Sequence, residues 1–253
     1  MADLLAHPGL ALFVAAVFAL GGVVKGVIGL GLPTVAMGLL GLAMSPAEGA
    51  ALLVLPSLVT NVWQLAAGPD VRALLRRLWP LLVGICAGTL AGAALLPSAG
   101  GRAATGLLGL ALLAYAALGL ANRRFAVPRT TERWLGPLVG AATGAVTAAT
   151  GVFVIPAVPY LGALGLGRDD LVGALGLSFT VSTVALAAAL ATAGPLDAGT
   201  LGASVLLIAP ALAGMALGGW LRGRIAPPLF RRVFFVGLLG LGAELAWRGL
   251  MAG

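Results

Sequence analysis

The chain has 253 residues, of which 60% are hydrophobic and 9% are charged, and its mean hydropathy is +1.10. A soluble domain carries about 25% charged residues, so this composition excludes a soluble enzyme and indicates a chain whose solvent is lipid. The net charge of +7 does not indicate nucleic-acid binding, because the arginines stand between apolar runs and form no basic stripe with aromatic residues.

The chain is divided into apolar runs by short stretches that carry proline, glycine and charge. A spanning helix needs about 20 apolar residues, and most of the runs reach that length. We expect about eight helical segments, with seven to nine depending on how interrupted runs are divided. The runs, in chain order, are 9–31, 33–44, 48–68, 74–96, 102–121, 135–163, 169–193, 200–221 and 230–251.

The longest polar stretch divides the chain near its middle, and the two halves resemble each other. Gly84 and Gly88 recur as Gly214 and Gly218 at a constant offset of 130 residues. These glycines are typical of close helix packing. Each half also opens with a glycine-rich stretch that ends in proline. The predicted units are a first membrane repeat at 1–121, a polar cytoplasmic linker at 122–134 and a second membrane repeat at 135–253.

The arginines predict how the halves are oriented. If all eight segments span, the arginines divide eight against six between the two sides. If each opening segment (9–44 and 135–163) is a re-entrant hairpin, the halves are inverted, both termini lie outside, and one side holds twelve arginines against two, Arg102 and Arg248. Positive residues favour the cytoplasm, so the inverted arrangement is preferred. The twelve are Arg72, Arg76, Arg77, Arg123, Arg124, Arg129, Arg133, Arg168, Arg222, Arg224, Arg231 and Arg232.

The predicted fold is therefore an all-α, multi-pass integral membrane protein of the plasma membrane. It has two homologous inverted repeats, and each repeat opens with a glycine-rich broken helix hairpin followed by three spanning helices. Run 33–44 is too short to cross the bilayer as a helix.

The most informative stretch is 21–34, where closely spaced glycines interrupt an apolar run. Irregular backbone at membrane depth is tolerated only against protein or a water-filled cavity. Pro33 is suited to the first position of a new helix, and the N–H groups from Thr34 onward would point into the break. A helix N-terminus attracts anions. The matching break is 147–151, with Pro156 beyond, and paired breaks near the midplane form the substrate site of many secondary transporters.

Lys25 is the single most informative residue, because a cation deep in an apolar segment is expensive and usually functional. It is interpreted as a counter-charge for an anionic substrate. The alternative is a lysine that snorkels to the interface from near a helix end.

This stretch resembles the TauE/SafE family of sulfite and organosulfur anion permeases, and the likeness covers nearly the whole chain. The resemblance implies transport of sulfite, sulfonates or related small anions without ATP. In the second half the motif departs from the family pattern at 148–151, where a glycine cluster is more usual. The residues that carry it are Gly22, Lys25, Gly26, Gly29, Gly31 and Pro33, with a weaker copy at Gly140, Gly144 and Pro156.

Polar side chains on the segments after each opening hairpin complete the candidate site. Ser57, Asn61 and Gln64 share one helix face, and Ser178 and Ser182 occupy the equivalent segment of the second half. Such donors suit an oxyanion, and the alternative is hydrogen bonding between helices. The full set of candidate substrate-binding residues is Lys25, Gly26, Gly29, Gly31, Thr34, Ser57, Asn61, Gln64, Thr147, Thr150, Gly151, Ser178 and Ser182.

The predicted function is a secondary transporter that moves a small sulfur-containing anion by alternating access within the lipid bilayer. The alternatives are a transporter of another small organic anion, such as a carboxylate, and a membrane scaffold without transport. An intramembrane enzyme is not expected, because the apolar segments lack nucleophile–base pairs and paired carboxylates. No cofactor, no metal site and no nucleic-acid partner are expected, and the sequence leaves a coupling proton or ion and a homodimer open.

Overall fold

The computed structural model describes residues 7–66, 70–95, 102–121 and 125–251. Within these ranges the chain is entirely helical apart from loops, which confirms the all-α prediction. The ten helices are α1 (Pro8–Ile28), α2 (Leu32–Leu40), α3 (Pro46–Ala66), α4 (Val71–Leu95), α5 (Arg102–Ala121), α6 (Arg129–Thr150), α7 (Ala157–Ala163), α8 (Arg168–Ala193), α9 (Ala198–Leu221) and α10 (Pro227–Met251).

Seven of the described helices are long and apolar enough to cross a membrane: α1, α3, α4, α5, α8, α9 and α10. The more polar α6 is not among them, although it has 22 residues. The short α2 has nine residues, which at about 1.5 Å per residue cannot cross a hydrocarbon core of about 30 Å. The expectation that 33–44 is too short to span is confirmed.

The boundary between the predicted units falls close to the start of α6. This helix begins at Arg129, directly after Pro128, so the last six residues of the predicted linker 122–134 are helical. Glu132 in its first turn forms an ion pair with Arg77 of α4. Positions 122–124 of the linker, including Arg123 and Arg124, lie outside the described residues.

Two pairs of helices pack in parallel through glycine. On α1 and α9, a Cβ atom on Gly22 would overlap the carbonyl of Ala211, and one on Gly218 would overlap the carbonyl of Val23. The contacts advance together along both chains, so the two helices run in the same direction. With no side chain on either surface the backbones approach closely, which is how small residues hold membrane helices together.

The second parallel pair is α4 with α6. A Cβ atom on Gly84 would overlap the carbonyl of Pro137, and one on Gly88 would overlap that of Ala141. The interpretation of Gly84, Gly88, Gly214 and Gly218 as packing residues is confirmed.

Two other pairs are antiparallel. Along α3 and α8, Ser57 contacts Thr183, whereas Gln64 reaches Val172 further back on α8. Along α5 and α10, Gly109 lies against Ala246, and Gly119 lies against Phe235. These directions set which helix ends meet at each end of the bundle.

Described arginines concentrate at one end of the bundle. There α4, α6, α8 and α10 begin and α9 ends, and we call this end the arginine face. At the opposite end the described arginines are Arg102 and Arg248. The arginine face carries Arg72, Arg76, Arg77, Arg129, Arg133, Arg168, Arg222, Arg224, Arg231 and Arg232.

Candidate functional site

The first helix break lies between α1 and α2. Gly29 ends α1 with φ +79°, and its N–H donates to the carbonyl of Lys25 at 2.8 Å. Gly31 has φ +116°, and such values suit glycine, which lacks a Cβ atom. The carbonyl of Gly31 accepts from the Thr34 hydroxyl and from the Val35 N–H, both at 2.9 Å. The predicted break is therefore present, and the Thr34 hydroxyl donates to the backbone at the start of its own helix, which has no side-chain cap.

Lys25 lies in the last turn of α1 and is buried, with 3% of its side chain exposed. Its ammonium donates to the hydroxyl of Thr60 at 3.1 Å and to the side-chain oxygen of Asn61. The ion pairs among the described residues join Arg77 to Glu132 and Arg248 to Glu244. The charge of Lys25 thus has no counter-ion in the described part of the chain, and its side chain does not snorkel to the interface.

A polar network on α3 and α8 holds Asn61 in place. Its amide nitrogen donates to the hydroxyl of Ser57 at 3.1 Å and to that of Thr183 at 3.3 Å. Ser57 and Thr183 also lie within hydrogen-bonding distance of each other, at 3.3 Å. Because the nitrogen faces two hydroxyls, the oxygen of the amide faces the ammonium of Lys25. Asn61 therefore contacts Lys25 directly, and Ser57 is joined to Lys25 through Asn61.

Pro56 interrupts the hydrogen bonds of α3 one residue before Ser57. A proline inside a helix lacks an N–H and leaves the carbonyl four residues earlier without its donor. Ser204 of α9 replaces that donor, since its hydroxyl donates to the carbonyl of Leu52 at 2.8 Å. The same hydroxyl accepts from the N–H of Leu55 at 3.2 Å. The contact ties α9 to α3 beside the polar network.

The second break follows α6 and begins with the same kind of glycine turn as the first, without its charge. Gly151 has φ +71°, and its N–H donates to the carbonyl of Thr147 at 2.8 Å. Thr147 stands four residues before its glycine, as Lys25 stands four before Gly29. The hydroxyls of Thr147 and Thr150 donate at 2.7 Å to the carbonyls of their own helix. The two breaks share this opening turn and then differ, since three residues separate α1 from α2 and six separate α6 from α7.

Two buried serines on α8 lack hydrogen-bond partners, and no hydrogen bond among the described residues joins them to Lys25. Ser178 and Ser182 have no exposed surface, and the described structure provides neither hydroxyl with a hydrogen-bond partner. A buried polar atom without a partner costs about 1–3 kcal/mol, so a bound oxyanion that accepts from such hydroxyls would recover that energy.

Gly26 lies elsewhere than the other candidates. A Cβ atom on Gly26 would stand 2.8 Å from the Cα of Gly218, so this glycine faces α9. Its carbonyl accepts from the guanidinium of Arg222 at 2.7 Å, and the carbonyl of Val27 accepts from the same group at 2.9 Å. Arg222 caps the end of α1. Sequence reasoning treated Arg222 only as a topology residue, and its local sequence gives no signal for this contact.

Gln64 joins the first break to α8. Its side-chain nitrogen donates to the carbonyl of Gly29 at 2.9 Å and to the carbonyl of Val172 at 3.1 Å. Both acceptors are carbonyls, which fixes the orientation of the amide, and its oxygen is buried without a partner. Gln64 therefore stands between the network around Asn61 and the arginine face.

The polar groups around Lys25 are neutral hydroxyls and an amide. One ammonium and several hydroxyls meet in a buried place where described carboxylates do not reach. Within the described ranges no group of three or more histidine, cysteine, aspartate or glutamate side chains could hold a metal ion. The arrangement is a buried positive charge among neutral oxygen atoms, and the hydroxyls of Thr60 and Thr183 already donate to carbonyls of their own helices.

Comparisons with known proteins agree with this description. A family model described as Sulfite exporter TauE/SafE matches residues 13–245. No curated protein and no solved structure matches the chain.

Proposed function

Because this chain belongs to the sulfite exporter TauE/SafE family, we propose that it is a permease for a small sulfur-containing anion such as sulfite or an organosulfonate. It is a multi-pass membrane protein, and the proposed location is the plasma membrane. The observation that carries the proposal is the buried ammonium of Lys25, which has polar partners but no described carboxylate beside it. An uncompensated cation in a membrane interior is costly, and such residues mark substrate pathways.

The proposed anion binds between the first break and α8. Lys25 supplies the charge, and the unpartnered hydroxyls of Ser178 and Ser182 supply hydrogen bonds. The first N–H groups of α2 are a further source of donors, because a helix leaves them unpaired at its N-terminus. The seven residues of α7 are too few to provide a matching site in the second half.

The charge count favours a monoanion. One ammonium neutralises one negative charge, and a dianion would leave a net negative charge in a medium where isolated charges are strongly disfavoured. Hydrogensulfite and a sulfonate each carry a single negative charge, whereas sulfate carries two. A carboxylate is also a monoanion, so a carboxylate transporter is the second candidate.

Alternating access is supported by the way the two halves correspond. The parallel pair α1 with α9 has its counterpart in α6 with α4, and the central pairs α3 with α8 and α5 with α10 are antiparallel. When the two halves are exchanged, the pair α1 with α9 becomes the pair α6 with α4, and the pairs α3 with α8 and α5 with α10 each become themselves. This correspondence is expected for inverted repeats. Transporters built this way rock one repeat against the other about a site at the midplane.

The proposed orientation places the arginine face in the cytoplasm, because positively charged residues favour that side. The start of α1 and the end of α10 then lie outside. Both opening hairpins, α1 with α2 and α6 with α7, return to the side from which they begin.

The test of the proposal is flux through the purified protein in lipid vesicles. Labelled sulfite and a labelled sulfonate are supplied to the wild type, to Lys25→Met and to Arg102→Met, which removes an exposed arginine from the opposite end. We expect Lys25→Met to reduce flux by about tenfold or more, equivalent to about 1.4 kcal/mol, and Arg102→Met to leave it within about twofold of the wild type.

The outcomes separate the alternatives. Equal flux in Lys25→Met and wild type would refute the assigned role of Lys25. A carboxylate transporter would move acetate or lactate in preference to sulfite, and a scaffold would show no flux with any anion.

A further inference from the structure

A cavity of about 570 Å³ opens at the arginine face, beside the first break. Its wall includes Ile28 and Leu30, the residues on either side of Gly29, and Val172 of α8. The remaining wall comes from α5, α7, further residues of α8 and the start of α10, together with Phe125. The cavity therefore touches the same turn that positions Lys25, but from the side of the membrane where the arginines lie.

Two arginines and one tyrosine stand among the otherwise apolar residues that line this cavity. Arg168 and Arg231 line its exposed mouth, and the described residues provide neither arginine with an ion-pair partner. Deeper in the wall, Tyr115 is 2% exposed, and its buried hydroxyl has no hydrogen-bond partner among the described residues. A phenol can donate one hydrogen bond to an oxyanion, and arginine is well suited to bind one. The two arginines would attract an anion from water, and the tyrosine hydroxyl would donate a hydrogen bond to it further in.

Gln64 lies behind the wall of this cavity, at the first break. Its side-chain nitrogen donates to the carbonyl of Gly29, which lies between the wall residues Ile28 and Leu30. The same nitrogen donates to the carbonyl of Val172, which is itself a residue of the cavity wall. On α3, Gln64 stands three residues after Asn61, so both occupy the same helix face. The Gln64 side chain thus lies between the cavity and the Lys25 network. If its two hydrogen bonds broke, the side chain could move out of that position.

We propose that the cavity is a second anion site, an antechamber on the arginine face, and that Gln64 is the latch between it and the site at Lys25. The inference rests on the proposed function for the identity of the ligand, a small oxyanion. An anion first binds near Arg168, Arg231 and the Tyr115 hydroxyl. It passes to Lys25 when Gln64 releases the carbonyls of Gly29 and Val172.

The antechamber is tested by the chemistry of a single cysteine, independently of transport. Cys86 is the only cysteine in the chain, so Cys86→Ser gives a cysteine-free background. Gly162 lines the cavity, and a Cβ atom there would meet nothing within 4 Å. Gly162→Cys is treated with two methanethiosulfonate reagents of similar size, one with a sulfonate and one with a trimethylammonium group. Gly9→Cys, at the opposite end and also in open space, is the matched control.

The two reagents differ in intrinsic reactivity, so the ratio of their rates at Gly162→Cys is compared with the ratio at Gly9→Cys. We expect the anionic-to-cationic ratio to be at least about threefold higher at Gly162→Cys, and the double change Arg168→Gln with Arg231→Gln to remove that difference. Gly9→Cys should not respond to the arginine changes. We also expect Tyr115→Phe to weaken protection of Gly162→Cys by methanesulfonate, which does not react with the reagents or with disulfides. An equal ratio at the two cysteines, or a difference that survives loss of both arginines, would overturn the antechamber.

The latch is tested behind Gln64. Ser57→Cys replaces a hydroxyl that is fully buried, so the anionic reagent should reach it slowly from the arginine face. Gln64→Ala should accelerate this reaction about tenfold or more, while Gln64→Glu, which places an acceptor against two carbonyls, should also accelerate it. Labelling in detergent-unfolded protein shows that the thiol is competent in every variant. An unchanged rate in Gln64→Ala would overturn the latch.

These results are separable from the proposed function. If Lys25→Met retains full flux while Gly162→Cys still prefers the anionic reagent, the assignment of Lys25 fails and the antechamber stands. If Lys25→Met loses flux but Gly162→Cys shows no charge preference, the transport site stands and the antechamber fails.

Discussion

Replacement of Gly26 by alanine distinguishes a packing role from a binding role. A Cβ atom on Gly26 would stand 2.8 Å from the Cα of Gly218 and from the nitrogen of Gly219, where ordinary contact needs 3.4–4 Å. It would also overlap the carbonyl of Met215. Because all three obstacles are backbone atoms, the added methyl cannot be accommodated by a rotamer change, and α1 and α9 must separate by about 1 Å.

The expected cost of Gly26→Ala follows from that separation. Overpacking a well-packed interface costs about 1–3 kcal/mol, and for a chain of this size each kcal/mol lowers Tm by about 2–4 °C. Gly219→Ala is the matched control, because the same helix pair carries it and its Cβ would meet nothing within 4 Å. It should leave Tm unchanged or raise it, since alanine is about 1 kcal/mol better than glycine inside a helix.

The measurement is thermal unfolding of detergent-purified protein, with and without sulfite. We expect Gly26→Ala to melt several degrees below Gly219→Ala, while sulfite raises the Tm of both by similar amounts, as a ligand that binds the folded state does. Equal melting temperatures without ligand, combined with loss of the sulfite effect in Gly26→Ala alone, would refute the packing assignment and place Gly26 in the binding site.

Three further predictions follow from contacts described above. Glu132→Gln should lower Tm by several degrees, because the bidentate ion pair that Glu132 forms with Arg77 is largely buried: the side chains are 12% and 24% exposed. Glu244→Gln breaks an ion pair that is about half exposed, and it should cost less than about 1 kcal/mol. Equal shifts in Tm for the two variants would contradict this ranking. Ser204→Ala should destabilise the protein by about 0.6–2 kcal/mol in detergent unfolding, because it leaves the carbonyl of Leu52 without its donor; an unchanged Tm would show that another group fills that role. In competition with labelled sulfonate flux, monoanions should inhibit more strongly than sulfate at equal concentration, and equal inhibition would contradict the charge argument at Lys25.

Much of the fold could be predicted because lipid imposes simple rules on sequence. Long apolar runs had to be helices, and the density of glycine between 21 and 34 had to interrupt one. The structure confirms the interruption at Gly29 and Gly31, where positive φ values occur. It also confirms the packing glycines, whose spacing of four residues keeps them on one helix surface.

The site was less accessible from sequence, because spacing does not tell which neighbour a helix face meets. Gly26 and Gly29 belong to one motif, yet the former faces α9 and the latter ends the helix. The sequence predicts that one helix face carries Ser57, Asn61 and Gln64. It does not predict that Asn61 contacts Lys25 while Gln64 contacts Val172, because that depends on how the antiparallel α8 packs. The contribution of Arg222 also required the fold, since it lies almost 200 residues from the carbonyl that it binds.

Both breaks begin with a glycine turn, but only the first carries a charged side chain, and this difference has an electrical consequence. In the proposed cycle, Lys25 with a bound monoanion is neutral, so the loaded protein crosses between its two states without work against the membrane potential. The empty protein returns with one positive charge, and a charge moved across the full potential corresponds to about 2.3 kcal/mol per 100 mV. Thr147, its uncharged counterpart, cannot balance that bias. A polarised membrane, negative inside, would therefore hold the empty protein with Lys25 towards the cytoplasm, ready to load there.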